Sequence, residues 1–110
     1  MGVDALESDQ LVAEFGAGLG TLSRLFKERN AIQPLVIELD PAMHKELVKS
    51  GFIAFQHADE ISPQALDGCF TSNVLEHIPD HESAVHSLYR ILKPDAKLVV
   101  YVPEIGRAHI

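Results

Sequence analysis

The residues that could do chemistry gather in one loop and at the ends of short apolar runs. Glu14-Phe15-Gly16-Ala17-Gly18-Leu19-Gly20 follows Leu11-Val12-Ala13, the pattern of a buried strand feeding a glycine turn. Alternate glycines let the backbone turn sharply and let a ligand approach without Cβ atoms in the way. The helix expected from Thr21 would turn free N–H groups toward that ligand. Glu38 stands eighteen residues beyond Gly20, at the end of Leu35-Val36-Ile37. Asp59, with Glu60 beside it, follows Phe52-Ile53-Ala54-Phe55, and Asn73 follows the apolar run Leu66–Thr71.

These residue types select a class of ligand. A dinucleotide fingerprint requires its third glycine three positions after the second. That position is Thr21 here, and the glycine comes one residue early, at Gly20. A carboxylate at Glu14 would repel a pyrophosphate but attract an ammonium group. Glu38 can accept hydrogen bonds from both hydroxyls of a ribose, and Asp59 can accept from the amino group of a purine. The set describes a cationic, donor-rich cofactor containing a nucleoside.

The elements that must position these residues alternate along the chain. Leu22, Leu25 and Phe26 predict a helix over Thr21–Arg29. Asp40 is a natural cap with Pro41 at the first helical position, and Met43, Leu47 and Val48 carry that helix to near Gly51. A third strand is expected over Phe52–Phe55, a brief helical turn at Ser62-Pro63 and a fourth strand over Leu66–Thr71. A helix follows over Asp80–Leu92 with Ala84, Val85, Leu88, Ile91 and Leu92 on one face. Lys93–Ala96 reads as a turn and Lys97–Val102 as a fifth strand. Strand–helix alternation implies an α/β domain, a doubly wound, Rossmann-like, mostly parallel sheet of about five strands with helices on both faces. In such sheets ligands bind beyond the carboxyl ends of the strands, where the strand order reverses. Glu14, Gly16, Glu38, Asp59 and Asn73 all fall at those ends, and core packing does not require them there.

Taken in order, Leu11–Leu25, Leu35–Leu47, His57-Ala58-Asp59, Ser72–Ile78 and Leu92-Lys93-Pro94 through Pro103 resemble the successive motifs of class I S-adenosylmethionine-dependent methyltransferases, in their small-molecule, methyltransferase-type-11-like branch. The resemblance implies that Gly16, Gly18 and Gly20 shape the cofactor pocket and that Glu14 faces the methionine end. It further implies that Glu38 binds ribose, Asp59 contacts adenine and Asn73 lines the methionine side. The implied reaction moves a methyl group from S-adenosylmethionine to an O, N or C atom of a small-molecule acceptor. Asn73–Ile78 is similar to ubiquinone-biosynthesis-type enzymes, whereas Glu38-Leu39-Asp40-Pro41 is similar to rRNA adenine dimethyltransferases and phospholipid N-methyltransferases, so no particular acceptor follows. No catalytic residue follows from the cofactor motifs. His77 is a candidate general base because imidazole titrates near working pH. Against the family pattern, residues 1–110 form a single core without the usual N-terminal helices and C-terminal strands. Asp95-Ala96 stands where glycines are common. The fifth strand would then be an open apolar edge, expected either because the sequence is a fragment of a longer chain or because a homodimer covers it. Two other classes are retained: a catalytically silent S-adenosylmethionine-binding module acting through a partner, and an NAD- or nucleotide-binding Rossmann protein.

Composition narrows the partners. The formal net charge of −7 and the scattered Lys and Arg residues argue against electrostatic docking on nucleic acid or an anionic membrane. Cys69 is the one cysteine, which excludes an internal disulfide framework and a multi-cysteine zinc site. Pro79 separates His77 from His81, so the two do not share one regular helix face and no metal site is expected. No signal-peptide pattern or membrane-length apolar run is present, and a cytoplasmic location is expected.

Overall fold

The computed structural model describes residues 10–72 and 80–101. The elements are β1 (Val12–Phe15), α1 (Thr21–Asn30), β2 (Leu35–Ile37), α2 (Pro41–Lys49) and β3 (Ala54–Phe55). A single 3₁₀ turn (Ala58–Glu60) follows, and then β4 (Leu66–Ser72), α3 (His81–Ile91) and β5 (Leu92–Tyr101). The five strands form one sheet in the order β3-β2-β1-β4-β5, and every pairing is parallel. The chain walks outward from β1 to β3 and then crosses back to β4. The order therefore reverses between β1 and β4, which makes the top of β1 the expected ligand crevice.

Strand periodicity of two sends neighbouring side chains to opposite faces. Ala13, Phe15, Ile37, Leu66 and Cys69 pack with Leu88 and Ile91 of α3 on one face. Val36 packs with Ala17, Leu47 of α2 and Phe52 on the other. On that second face, the rings of Phe26 in α1 and Phe70 in β4 stack with centroids 5.1 Å apart. Helices thus cover both faces, as the alternation predicted. Leu88 and Ile91 have no exposed surface, and burying each such side chain contributes about 1.5–3 kcal/mol. The cap expected at Asp40 is formed: its Oδ1 accepts the Ala42 N–H at 2.9 Å, with Pro41 in the first turn.

Three local expectations are corrected. The helical turn lies at Ala58–Glu60, not at Ser62-Pro63; two buried anchors, Ala58 and Ile61, fold the earlier segment against the core. The third strand is only Ala54–Phe55, because Phe52 turns into the cluster with Leu47 and Val36 before pairing begins. Lys93–Ala96 is not a turn ahead of the fifth strand but an irregularity within it, since Leu66 pairs with Leu92 and Gly68 with Lys97. Asp67 is tolerated at the start of β4 because it is used there. Its carboxylate accepts Leu11 N–H at 2.8 Å and Lys93 Nζ–H at 2.9 Å, and the Lys93 bond holds it below the usual carboxylate range. β5 is one edge of the sheet. No helix among the described residues is long and apolar enough to cross a membrane.

Candidate cofactor site

The loop from Phe15 to Thr21 rises at the switch point. Gly16 N–H donates to Ile37 O at 2.7 Å, tying the loop to β2, and Gly20 N–H closes a turn onto Ala17 O at 2.8 Å. Gly18 and Gly20 have φ of +58° and +82°, values that a Cβ disfavours by about 1–2 kcal/mol. Their surroundings differ. A Cβ on Gly18 would meet nothing within 4 Å, whereas one on Gly20 would lie 2.8 Å from the Phe52 ring and 3.2 Å from Leu47. Gly20 is therefore a packing glycine, and Gly18 leaves open space above the backbone. We expect Gly20→Ala to lower folding stability by about 2 kcal/mol and Gly18→Ala by about half of that. Urea unfolding of the two variants checks the order; equal losses would contradict it.

Glu38 sits at the tip of β2 and reaches across the loop. Its Oε1 accepts Gly18 N–H at 2.8 Å, and its Oε2 accepts Asp40 N–H at 3.0 Å. Glu14 lies below, only 3% exposed. Its Oε1 accepts the Ser23 hydroxyl at 2.6 Å. Ser23 belongs to the first turn of α1, whose own cap residue, Gly20, has no side chain to offer. Glu14 also accepts the Ser23 backbone N–H, and so supplies from the strand the acceptor that a cap residue would normally provide. Burial pushes the Glu14 carboxyl up to about 7, against the opposing Ser23 hydrogen bonds and with a smaller upward contribution from the charge of Glu38. The Thr71 hydroxyl donates to Phe15 O at 2.9 Å, buried, and closes the gap between β1 and β4.

Beyond β3 a cleft of about 170 Å³ opens between Leu39, Asp59 and the first half of α3, where Ser83, Ala84 and Ser87 line it over Phe15. Asp59 is exposed there. Its neighbour Glu60 is engaged, Oε2 accepting His57 N–H at 3.0 Å. Of the two acids, Asp59 is the one that lines the cleft. A larger hollow of about 570 Å³ lies away from these acids, beside Arg24, Lys27, Gln33 and Ser50. It is lined by Glu28 as well as the two cations and by none of the strand-end acids.

The fold brings Glu14, Gly16, Gly18, Gly20 and Glu38 together and sets Asp59 on the adjoining cleft. Asn73 and His77 lie outside the described residues. Sequence reasoning did not single out Ser23, whose hydroxyl holds Glu14, or Arg90, whose guanidinium holds the Ala58 and Ile61 carbonyls. The signal for Ser23 was a polar residue three before Phe26, on the inward face of a helix otherwise apolar there. Cys69 is inert core: burial raises its thiol to about 12, so the nucleophilic thiolate is absent at neutral pH. Among the described residues, no group of three His, Cys, Asp or Glu side chains could hold a metal ion.

A parallel sheet with a glycine loop and strand-end acids at its switch point defines an α/β cofactor-binding domain of the Rossmann-like type. The methyltransferase-domain family model matches residues 13–100. The chain belongs to that family of S-adenosylmethionine-dependent proteins. No curated protein sequence matches it. Among solved structures, it is similar to a Methanococcus maripaludis protein assigned to the S-adenosyl-L-methionine-dependent methyltransferases (TM-score 0.75, 17% identity, 84% of this chain and 48% of that one). It is similar to a Haloferax volcanii protein solved in complex with a methyltransferase activator (0.70, 18%, 84% and 44%). A third is the phosphoethanolamine N-methyltransferase 2 of Haemonchus contortus, in complex with phosphomonomethylethanolamine and S-adenosylhomocysteine (0.71, 19%, 94% and 28%). At these identities the likeness is one of fold, and the chain spans less than half the length of each.

Proposed function

We propose that this chain is the cofactor-binding core of a methyltransferase acting on a small-molecule acceptor through an O, N or C atom, in the cytoplasm. The reading rests on Glu38. An ionised carboxylate has about four lone-pair sites. One backbone N–H occupies a site on each oxygen, which leaves each oxygen able to accept one of two neighbouring hydroxyls. That acceptor pair matches the donor pair of a ribose diol. The open side of Gly18 gives the rest of the cofactor a close approach to the backbone. Asp59 accepts from the adenine amino group, and the family resemblance assigns Asn73 to the methionine side.

Glu14 acts from beneath the loop. Its burial means that its charge, rather than an exposed contact, is what favours a cationic ligand. When bound, S-adenosylmethionine supplies both the activated methyl group and its leaving group. The protein's contribution is to orient and desolvate the reacting atoms. His77 is the candidate base for acceptors that need one.

Calorimetric titration with S-adenosylhomocysteine and with NAD tests the reading. The expected result is binding of the first and none of the second; binding of NAD alone would overturn it. A second reading, a binding module that acts only with a partner, draws on the Haloferax volcanii relative solved with its activator. Cofactor binding with no methyl transfer until a second polypeptide is added would favour it.

A further inference from the structure

Arg90 is in the last turn of α3, where a cation ordinarily serves the carbonyls of its own helix. Here its side chain leaves the helix. Nη2 donates to Ala58 O at 3.1 Å and to Ile61 O at 2.7 Å. Those two carbonyls bracket Asp59 and Glu60. The side chains of Ala58 and Ile61 are themselves buried in the core, so the turn is held by its side chains from one direction and by the guanidinium from the other. The backbone adds a third tie, Gln64 N–H donating to Arg90 O at 2.9 Å. The same helix lines the cleft opposite Asp59 with Ser83, Ala84 and Ser87. One rigid element therefore carries one wall of the cleft directly and fixes the other through Arg90.

We propose that Arg90 is a positioning residue for the cofactor: it clamps the Ala58–Ile61 turn so that the Asp59 carboxylate meets the amino edge of the purine. This inference rests on the reading of the cleft as the adenine end of an S-adenosylmethionine site. A planar guanidinium holds two carbonyls with little loss of freedom, whereas an ammonium is more strongly hydrated and more loosely directed. Lysine should therefore restore part of the function.

The test compares two ligands by titration calorimetry on the whole chain: S-adenosylhomocysteine, and its purine-riboside analogue, which lacks the exocyclic amino group. Arg90→Met is expected to weaken the adenosyl ligand about tenfold, the scale of one lost hydrogen bond to a charged group. The same change should alter the analogue by less than about twofold, because the analogue has no contact with Asp59 to lose. Arg90→Lys should fall between Arg90→Met and the parent. In an Asp59→Ala background, Arg90→Met should have no further effect. Equal weakening of both ligands would reduce Arg90 to a structural prop and overturn the proposal, as would a parent chain that does not distinguish the ligands. Should Arg90→Met not fold, Arg90→Lys carries the same comparison. If the parent chain binds neither ligand, the functional reading itself fails. If it binds both and prefers the adenosyl form, but Arg90 substitutions leave that preference intact, only the present inference fails.

Discussion

Glu14→Gln is expected to stabilise the chain at pH 8 and to leave it nearly unchanged at pH 4. The sign follows from where the proton sits. An unfolded chain binds this proton with the ordinary value of 4.5, and the folded chain holds it up to about 7, chiefly through burial. Below 4.5 the carboxyl is neutral in both states and carries no pH-linked penalty. Between 4.5 and 7 the unfolded state releases the proton first, so folding stability falls as pH rises. Above 7 both states are ionised and the folded one carries the full burden of a buried charge. Moving from 4.5 to about 7 corresponds to about 3 kcal/mol.

Glutamine is neutral at every pH and keeps an acceptor for the Ser23 hydroxyl. Urea melts of the parent and Glu14→Gln at pH 4 and pH 8 should thus diverge by up to about 3 kcal/mol at the higher pH only. Parallel curves across that range would show that Glu14 is not desolvated as its burial implies. The same variant should bind S-adenosylhomocysteine less tightly, since it removes the charge that favours the ligand's ammonium. Stability and affinity then move in opposite directions at pH 8. That opposition is the mark of a charge kept for binding at the expense of folding.

Glu38→Ala is expected to weaken S-adenosylhomocysteine binding at least tenfold, about 1.4 kcal/mol or more. Two effects contribute. The variant loses the acceptor for both ribose hydroxyls, and hydrogen bonds to a charged group are each worth about 1.5–3 kcal/mol. It also frees Gly18 N–H and Asp40 N–H, so the loop enters binding less ordered. Folding should suffer less than binding, because both N–H groups lie at the rim and can turn to water. Glu38→Gln separates the effects. Its amide oxygen can still hold Gly18 N–H, but its amino group faces Asp40 N–H donor to donor. Calorimetry should place it between the parent and Glu38→Ala, and unchanged affinity in Glu38→Ala would remove Glu38 from the site.

Much of this was legible in the residues. Apolar runs such as Leu35-Val36-Ile37, each followed by a helical stripe, determine a parallel α/β sheet because only that architecture buries strands on both faces. Asp40-Pro41 marks its helix start without error, since capping depends on residues close in sequence. The early third glycine and the acids at strand ends likewise carry the ligand class, because spacing along a strand–loop–helix unit is local.

What the sequence could not determine depends on residues distant in the chain. The 3₁₀ turn falls at Ala58–Glu60 because Ala58 and Ile61 find the core and Arg90 finds their carbonyls, contacts that span about thirty positions. Lys93–Ala96 lies within β5 because β4 sets the pairing on both sides of it. Glu14 read alone is an acid poised for a ligand. Only packing made it a buried helix cap beneath the loop, since desolvation belongs to the surrounding fold and not to the residue.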